Sequence, residues 1–420
     1  MKVLWITNIL FPEAEQLLTG SGELKASGGW MLGAANALLR NKKVKLTVAS
    51  VSTKVHKLTK LEGHDILYYI LPMGKGNMDF NMDYCKYWQQ VNNDVKPDVV
   101  HIHGTEYSHG YAYMMACDCN NVVISIQGLT SAYYPYYYFG MTKKDIYMNM
   151  TFRDMIRGNI LKGQNQFKQR AAYEIEMIKK TRHIIGRTSW DKSRVWAINP
   201  NAEYHFCNET LRPDFYDGSR WMYNQCDKHS IFISQAGYPI KGLHQVLKAM
   251  PFILRHFPDT KIRVAGGDIT KSVTLLDKLR LSGYGKYIKN LIKKYNIDGK
   301  VIFSGNLNGE QMKQEYLRAN VFVCPSTIEN SPNSLGEAQI LGTPCVASYV
   351  GGIMDMMKGN ETNLYRFEEV EMLAEKVCQI FTDKEKQIDM HTVAYERHNP
   401  EINSKQLFTI YKTIAKVQCI

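Results

Sequence analysis

An α/β fold in two domains, each built on a parallel sheet, is what this sequence predicts, and three observations predict it. Short runs rich in β-branched residues alternate with helical stretches from one end to the other, the pattern of parallel strands joined by crossover helices. The chain has 420 residues, a length that fits two domains. The alternation is interrupted once, at 208–229, which is polar, carries Pro213 and Gly218 and shows no period. That stretch reads as a linker between a first domain over 1–207 and a second over 230–398.

The first strand is Val3–Thr7. Its apolar run is too short for a signal peptide, and no small-residue cleavage site follows it. A loop from Ile9 to Ser27 then leads to Gly28-Gly29, which opens a helix over Trp30–Leu39. Strands follow at Leu46–Ser50, Ile66–Ile70, Val99–Ile102, Val122–Ile126 and His183–Gly186, with a helix at Phe167–Lys180. The second half offers strands at Ser230–Ser234, Lys261–Ala265, Val301–Ser304, Val321–Cys324 and Cys345–Ser348. Its helices include Leu243–Phe257 and Gly309–Arg318, the latter opened by an Asn308/Gln311 capping box. Residues 399–420 form a last helical segment, with Ile402, Leu407, Tyr411 and Ile414 at helical spacing.

Hydrophobic content of 45% and charged content of 22% are those of a globular protein. No apolar run approaches the ~20 residues of a membrane span. Nine cysteines lack paired metal spacing, Cys117-Asp118-Cys119 being a poor zinc signature, so a reduced, cytoplasmic setting is expected. The net charge is +12, and 143–194 holds thirteen basic residues against five acidic ones. Such a surface suits anionic lipid or substrate, or is simply a solvated helix face. Nucleic acid is not expected, since no reader motif accompanies the charge. The run Tyr133–Phe139 suits sugar stacking or a membrane interface, and equally a packed core.

Residues 324–352, CPSTIENSPNSLGEAQILGTPCVASYVGG, carry the most chemistry. A strand stops at Pro325, a polar loop carries Glu329, Asn333 or Ser334 caps a helix that ends at Gly342, and a second strand runs into Gly351-Gly352. The loop opens a helix N-terminus at a strand's carboxyl end, where parallel sheets bind ligands. Amides of Ser334, Leu335 and Gly336 would favour a phosphate. Glu329 and Glu337, one in the loop and one a turn into the helix, can accept from hydroxyls on either side. For either glutamate alone, solvation or helix-dipole pairing explains it as well.

This stretch resembles the signature of retaining glycosyltransferases of family 4, which implies the GT-B fold, two Rossmann-like domains facing across a cleft. The resemblance assigns Glu329 to the donor sugar, Glu337 to the nucleotide ribose, and Ser334 and Leu335 to the diphosphate, with Asn333 beside them also donor-binding. It makes Lys241, ahead of the helix at Leu243, the cation that neutralises the leaving diphosphate. The arginine usually found about five residues earlier is absent, its place being Gln235-Ala236, and Arg212 is a candidate substitute. The Gly305-Asn306 pair falls where the family lines the nucleotide base, and Gly29 where it contacts donor phosphates or acceptor; Gly267, ending another strand, is a donor candidate because glycine lets the backbone approach a ligand closely, a tight turn being the alternative. In the first domain His103, Gln127, Asn8 and Arg187 end strands and are expected to line the cleft, His103 as a catalytic group and His101 as a satisfied core residue. Gln127 stands where several members have histidine, which excludes acid–base chemistry there. His101 and His103 share a strand face but lack a third ligand, so no metal is expected.

The activity implied is transfer of a sugar from a nucleotide donor, a UDP-sugar, to an acceptor hydroxyl. The acceptor would be a glycan or lipid-linked, as in surface polysaccharide or glycolipid synthesis, with the enzyme cytoplasmic and in peripheral contact with an anionic inner membrane face. No cofactor is needed beyond the donor. A nucleotide-sugar epimerase or a catalytically silent sugar-binding module of the same fold are the alternatives. A dinucleotide oxidoreductase is excluded by the absence of Gly-x-Gly-x-x-Gly after a strand.

Overall fold

The computed structural model describes residues 1–20, 29–73, 82–382 and 389–417. Two compact units result, neither of them one continuous stretch of chain. The first comprises 1–132, 166–213 and 396–420; the second comprises 133–165 and 214–395. The chain therefore leaves the first unit at Tyr133, in the middle of the expected first domain, and returns at Gln166.

The first unit holds eight strands: β1 (Lys2–Thr7), β2 (Lys45–Ser52), β3 (Thr59–Glu62), β4 (Ile66–Pro72), β5 (Val99–His103), β6 (Val122–Ser125), β7 (His183–Gly186) and β8 (Glu203–Phe206). Their order is β3-β4-β2-β1-β5-β6-β7-β8, parallel throughout except for β3 on β4. β1 is central, with Trp5 opposite both Val48 and His101. A buried cluster including Val3, Trp5, Met31, Leu38, Val48 and Ile70 fills one side. The last helix, Pro400–Val417, closes it through Leu407, Ile410, Tyr411 and Ile414. Tyr411 is a hydrogen-bonded hub: Trp5 Nε1 donates to its hydroxyl at 2.8 Å, and that hydroxyl meets His101 Nδ1 at 2.5 Å. The His101 Nε2 pairs with Ser125 Oγ, which completes its bonding.

The second unit holds six parallel strands: β9 (Asp227–Ile233), β10 (Lys261–Val264), β11 (Val301–Phe303), β12 (Ala319–Cys324), β13 (Cys345–Ser348) and β14 (Leu364–Tyr365), in the order β11-β10-β9-β12-β13-β14. The order reverses between β9 and β12, so the loops after those two strands diverge to open a crevice at their carboxyl ends. Its core gathers Ile231, Leu243, Val246, Ile288, Val321 and Val346 with Met141 and Ile146 from the segment 133–165. That segment is pinned in place. Lys248 Nζ donates to the Gly140 carbonyl at 2.7 Å, Thr327 Oγ1 to the Tyr136 carbonyl at 2.9 Å, and Phe139 packs on Phe367.

Several local expectations are corrected. The stretch after Ile9 includes a helix over Pro12–Thr19 instead of being all loop, while Gly22 and Gly28 lie outside the described residues. The expected linker ends early, because β9 begins at Asp227 and the chain changes unit at Pro213. The tyrosine-rich run is a turn of helix and a 3-10 turn, Thr130–Tyr133 and Tyr134–Tyr136. Among the described residues no helix is long and apolar enough to cross a membrane.

Candidate functional site

At the switch point of the second sheet, the loop after β9 brings Lys241 and the loop after β12 brings Glu329. Lys241 Nζ meets Glu329 Oε1 at 2.6 Å, with the lysine side chain 20% and the glutamate 10% exposed. Ser326 Oγ donates to the same oxygen at 2.9 Å. Glu329 Oε2 is left without a partner among the described residues. Burial works against the Lys241 charge, but Glu329, its hydrogen bond and Tyr238 outweigh it, so the ammonium holds its proton above the ordinary lysine range.

Two glycines make this approach of loops achievable. Gly242 has φ +70°, and a Cβ there would overlap the Pro325 carbonyl. A Cβ on Gly351, at φ +53°, would likewise overlap the Glu329 carbonyl, which also accepts from Gly352 N at 3.0 Å. Thr327 N donates to the Ile240 carbonyl at 2.7 Å. The backbone carrying Glu329 is thus clamped from both neighbouring loops.

The helix beside it runs Asn333–Leu341 and ends at Gly342 in the left-handed region. Its N-cap is Pro332, with no side-chain cap, which corrects the capping expected of Asn333 or Ser334. The Leu335 and Gly336 amides are taken by the Pro332 carbonyl, at 3.0 and 3.4 Å, which corrects their expected role as free donors. Asn333 and Ser334 keep amides with no backbone acceptor among the described residues, and an uncapped N-terminus favours an anion there. Glu337 is buried and accepts from Tyr316 Oη at 3.3 Å. Tyr316 was not foreseen; it sits edge-on to Phe215, Phe232 and Phe322, a packing that sequence spacing does not reveal. Gly266, at the end of β10, bridges to Gly305 at the end of β11 (2.8 Å). A Cβ on Gly267 or Gly305 would meet open space, and Asn306 beside them is exposed.

The first unit treats its candidates differently. His103 is buried, its ring 4.4 Å from Trp5 and 3.8 Å from His101, and neither ring nitrogen has a partner among the described residues. It lines a cavity of about 50 Å³ with Trp5, Trp30, Ser125, Arg187 and Glu209, room for water and not for a sugar ring. Burial, with Arg187 nearby, lowers His103 to about 3, so at neutral pH it is an uncharged imidazole and no acid. Arg187 is engaged: Nη1 pairs with Glu209 at 2.5 Å and Nη2 donates to the Ile126 carbonyl at 2.5 Å and to Gln127 Oε1 at 3.3 Å. Its charge is compensated inside the unit. Asn8 follows β1, Gly29 opens the helix Gly29–Leu39, and Arg212 belongs to the first unit and is half-buried with partners of its own.

Two further clusters were not foreseen. Glu174, fully buried, accepts from Thr130 N and Ser131 N at 2.9 Å each and from Thr105 Oγ1 at 2.7 Å, tying the loops after β5 and β6 together. His183 and His205 meet at 3.1 Å across β7 and β8, with Glu203 3.4 Å from His183, a group able to hold a metal ion. Arg182 occupies the other side of Glu203.

Residues 224–397 match the model of the family described as glycosyl transferases group 1. An uncharacterized glycosyltransferase of Methanocaldococcus jannaschii is 34% identical over 31% of this chain and 30% of its own length. Across the first three such relatives the match spans 30%, 41% and 48% of their length, so less than half of each is represented. Among solved structures, sucrose-phosphate synthase from Thermosynechococcus elongatus superposes with a TM-score of 0.70 at 15% identity, covering 98% of both chains. HepE of Anabaena, in complex with UDP, superposes at 0.63 and 12% identity, over 98% of this chain and 100% of its own. The fold is that of the GT-B glycosyltransferases.

Proposed function

We propose that the protein is a glycosyltransferase that moves a sugar from a UDP-sugar to an acceptor hydroxyl with retention of configuration and without a metal. The observation that carries this reading is the Lys241–Glu329 pair at the β9/β12 switch point, beside an uncapped helix N-terminus, inside the stretch that matches the group 1 family. Glu329 Oε2 would accept from a donor-sugar hydroxyl, and Glu337 from the ribose. The Asn333 and Ser334 amides, with the Lys241 ammonium, would take the diphosphate. In the transfer, the bond from the anomeric carbon to the diphosphate oxygen breaks while the acceptor oxygen bonds to the same face. The acceptor proton passes to the departing phosphate. The protein's part is then to stabilise charge that grows on the leaving group.

Asn8 and Gln127 are the polar groups of the first unit proposed to orient the acceptor, and buried, uncharged His103 is given no acid–base part in the transfer. The acceptor proposed is a glycan or lipid-linked one in surface polysaccharide or glycolipid synthesis, met at an anionic membrane face. Thermal shift with UDP, GDP, ADP and CMP tests the donor site. UDP is expected to stabilise the native protein and not Glu337→Ala. No shift with any nucleotide would overturn the donor assignment, and an inverted anomeric signal in the product would overturn retention.

A further inference from the structure

The helix Phe152–Arg157 carries its apolar stripe outward. Phe152, Met155 and Ile156 stand at i, i+3 and i+4, the spacing that ordinarily faces a core. Here they are 57%, 73% and 66% exposed, and the residue turned inward is Asp154. The helix Leu275–Arg280 touches it and has no buried residue; Leu275 and Leu276 are 76% and 53% exposed, with Val273 bare just ahead. Both helices belong to the second unit and are held from behind, where Asn290 Nδ2 donates to Asn149 Oδ1 at 2.8 Å. Exposed apolar side chains are normally scattered singly, whereas these form one patch on a fixed support.

The charge around the patch is of one sign. Residues 143–162 and 271–289 hold ten lysines and arginines against three aspartates. Each aspartate is the partner of a capping box, Asp145 with Thr142, Asp154 with Thr151 and Asp277 with Thr274, and only Arg153 and Lys271 among the basic residues meet two of them, at 3.9 and 3.7 Å, among the described residues. An apolar centre with a basic rim fits neither a second copy, whose rim would repel this one, nor a nucleic acid, which offers the centre nothing. We propose that this surface seats the protein on an anionic membrane. Phe152, Met155, Ile156, Leu275 and Leu276 enter the boundary between headgroups and acyl chains, and the surrounding lysines and arginines meet lipid phosphates. The proposal deepens the membrane part of the function above and rests on that reading for what the bound enzyme does there.

Flotation of the full chain with vesicles tests it, using phosphatidylcholine alone and phosphatidylcholine mixed with phosphatidylglycerol. Binding is expected to the mixed vesicles only, weakened by salt. It should be at least about tenfold weaker for Phe152→Ser/Met155→Ser/Leu275→Ser. The same variant should keep the native response to UDP, because all three side chains are exposed. Equal binding to both vesicle types, or undiminished binding by the variant, would overturn the proposal. So would sedimentation showing a native dimer that the variant dissolves. Vesicle binding that persists in a protein with no response to UDP would leave this surface standing and count against sugar transfer alone.

Discussion

Lys241 stays charged because Glu329 stands beside it, and each is too buried to lose the other cheaply. Removing one partner of such a pair strands the second, so Lys241→Met is expected to lower stability by about 2–3 kcal/mol. The double variant Lys241→Met/Glu329→Gln should lose less than the single one, read from urea midpoints. With the folded value raised above the ordinary 10.5, the lysine's contribution is whole below about that pH and fades above it. Glu106 is raised too, but here the surroundings favour the neutral form. Burial first, then Glu174 nearby, lifts it from 4.5 to about 7, while Gly128 N donates to its Oε1 at 3.0 Å. Between those values the folded chain holds a proton that the unfolded chain has released, so stability falls as pH rises from 4.5 to 7. Glu106→Gln should therefore stabilise by roughly 1–3 kcal/mol at pH 8 and by nothing measurable at pH 4. A gain at pH 4 as large as that at pH 8 would show that the carboxyl is not the titrating group.

Between elements, the site depends on how closely two loops pass. Gly242→Ala meets both a left-handed backbone and the Pro325 carbonyl, and is expected to cost roughly 3–5 kcal/mol and the UDP response with it. Gly305→Ala has a left-handed backbone but open space, and should cost roughly 1–2 kcal/mol. Equal losses in chemical denaturation would mean the Pro325 contact yields freely. The sequence made the strand–loop–helix–strand run from Val321 to Ser348 legible, because two fully buried β runs flank a Gly-terminated helix. It made Lys241 and Glu329 legible as members of one site, but not as an ion pair, since 88 residues separate them and only the β9/β12 adjacency brings them together. Side-chain capping by Asn333 was expected on residue type alone; Pro332 holds the extended N-cap backbone itself. β3, β8 and β14 went unread for a shared reason. Thr59–Glu62 and Glu203–Phe206 are half-exposed with no apolar run, and Leu364–Tyr365 is two residues long. Their pairing is decided by neighbours that local composition does not show.

At the scale of the chain, the membership of 133–165 was illegible for a physical reason: a short amphipathic segment encodes that it must bury a face, not which core will receive it. Met141 and Ile146 are 7% and 2% exposed within the core that Leu243, Val246 and Tyr287 build more than ninety positions later. The family match begins at residue 224 and so leaves this segment out, although it belongs to the same unit as most of the matched region. A fragment of residues 214–395 should consequently leave the outer face of the helix Leu243–His256 bare and unfold at lower urea than the parent, or aggregate. Joining 133–165 to that fragment through a flexible linker should restore one cooperative transition and the response to UDP. Within the whole protein, Ile146→Ala should cost about 2–4 kcal/mol. If 214–395 alone proved as stable and as responsive to UDP as the joined form, the segment would be an attachment to the second unit and not part of its core. Restoration of both would mean that the unit folding around the Lys241–Glu329 pair is larger than the stretch that matches the family model, and that the exposed helix Phe152–Arg157 is carried by that unit.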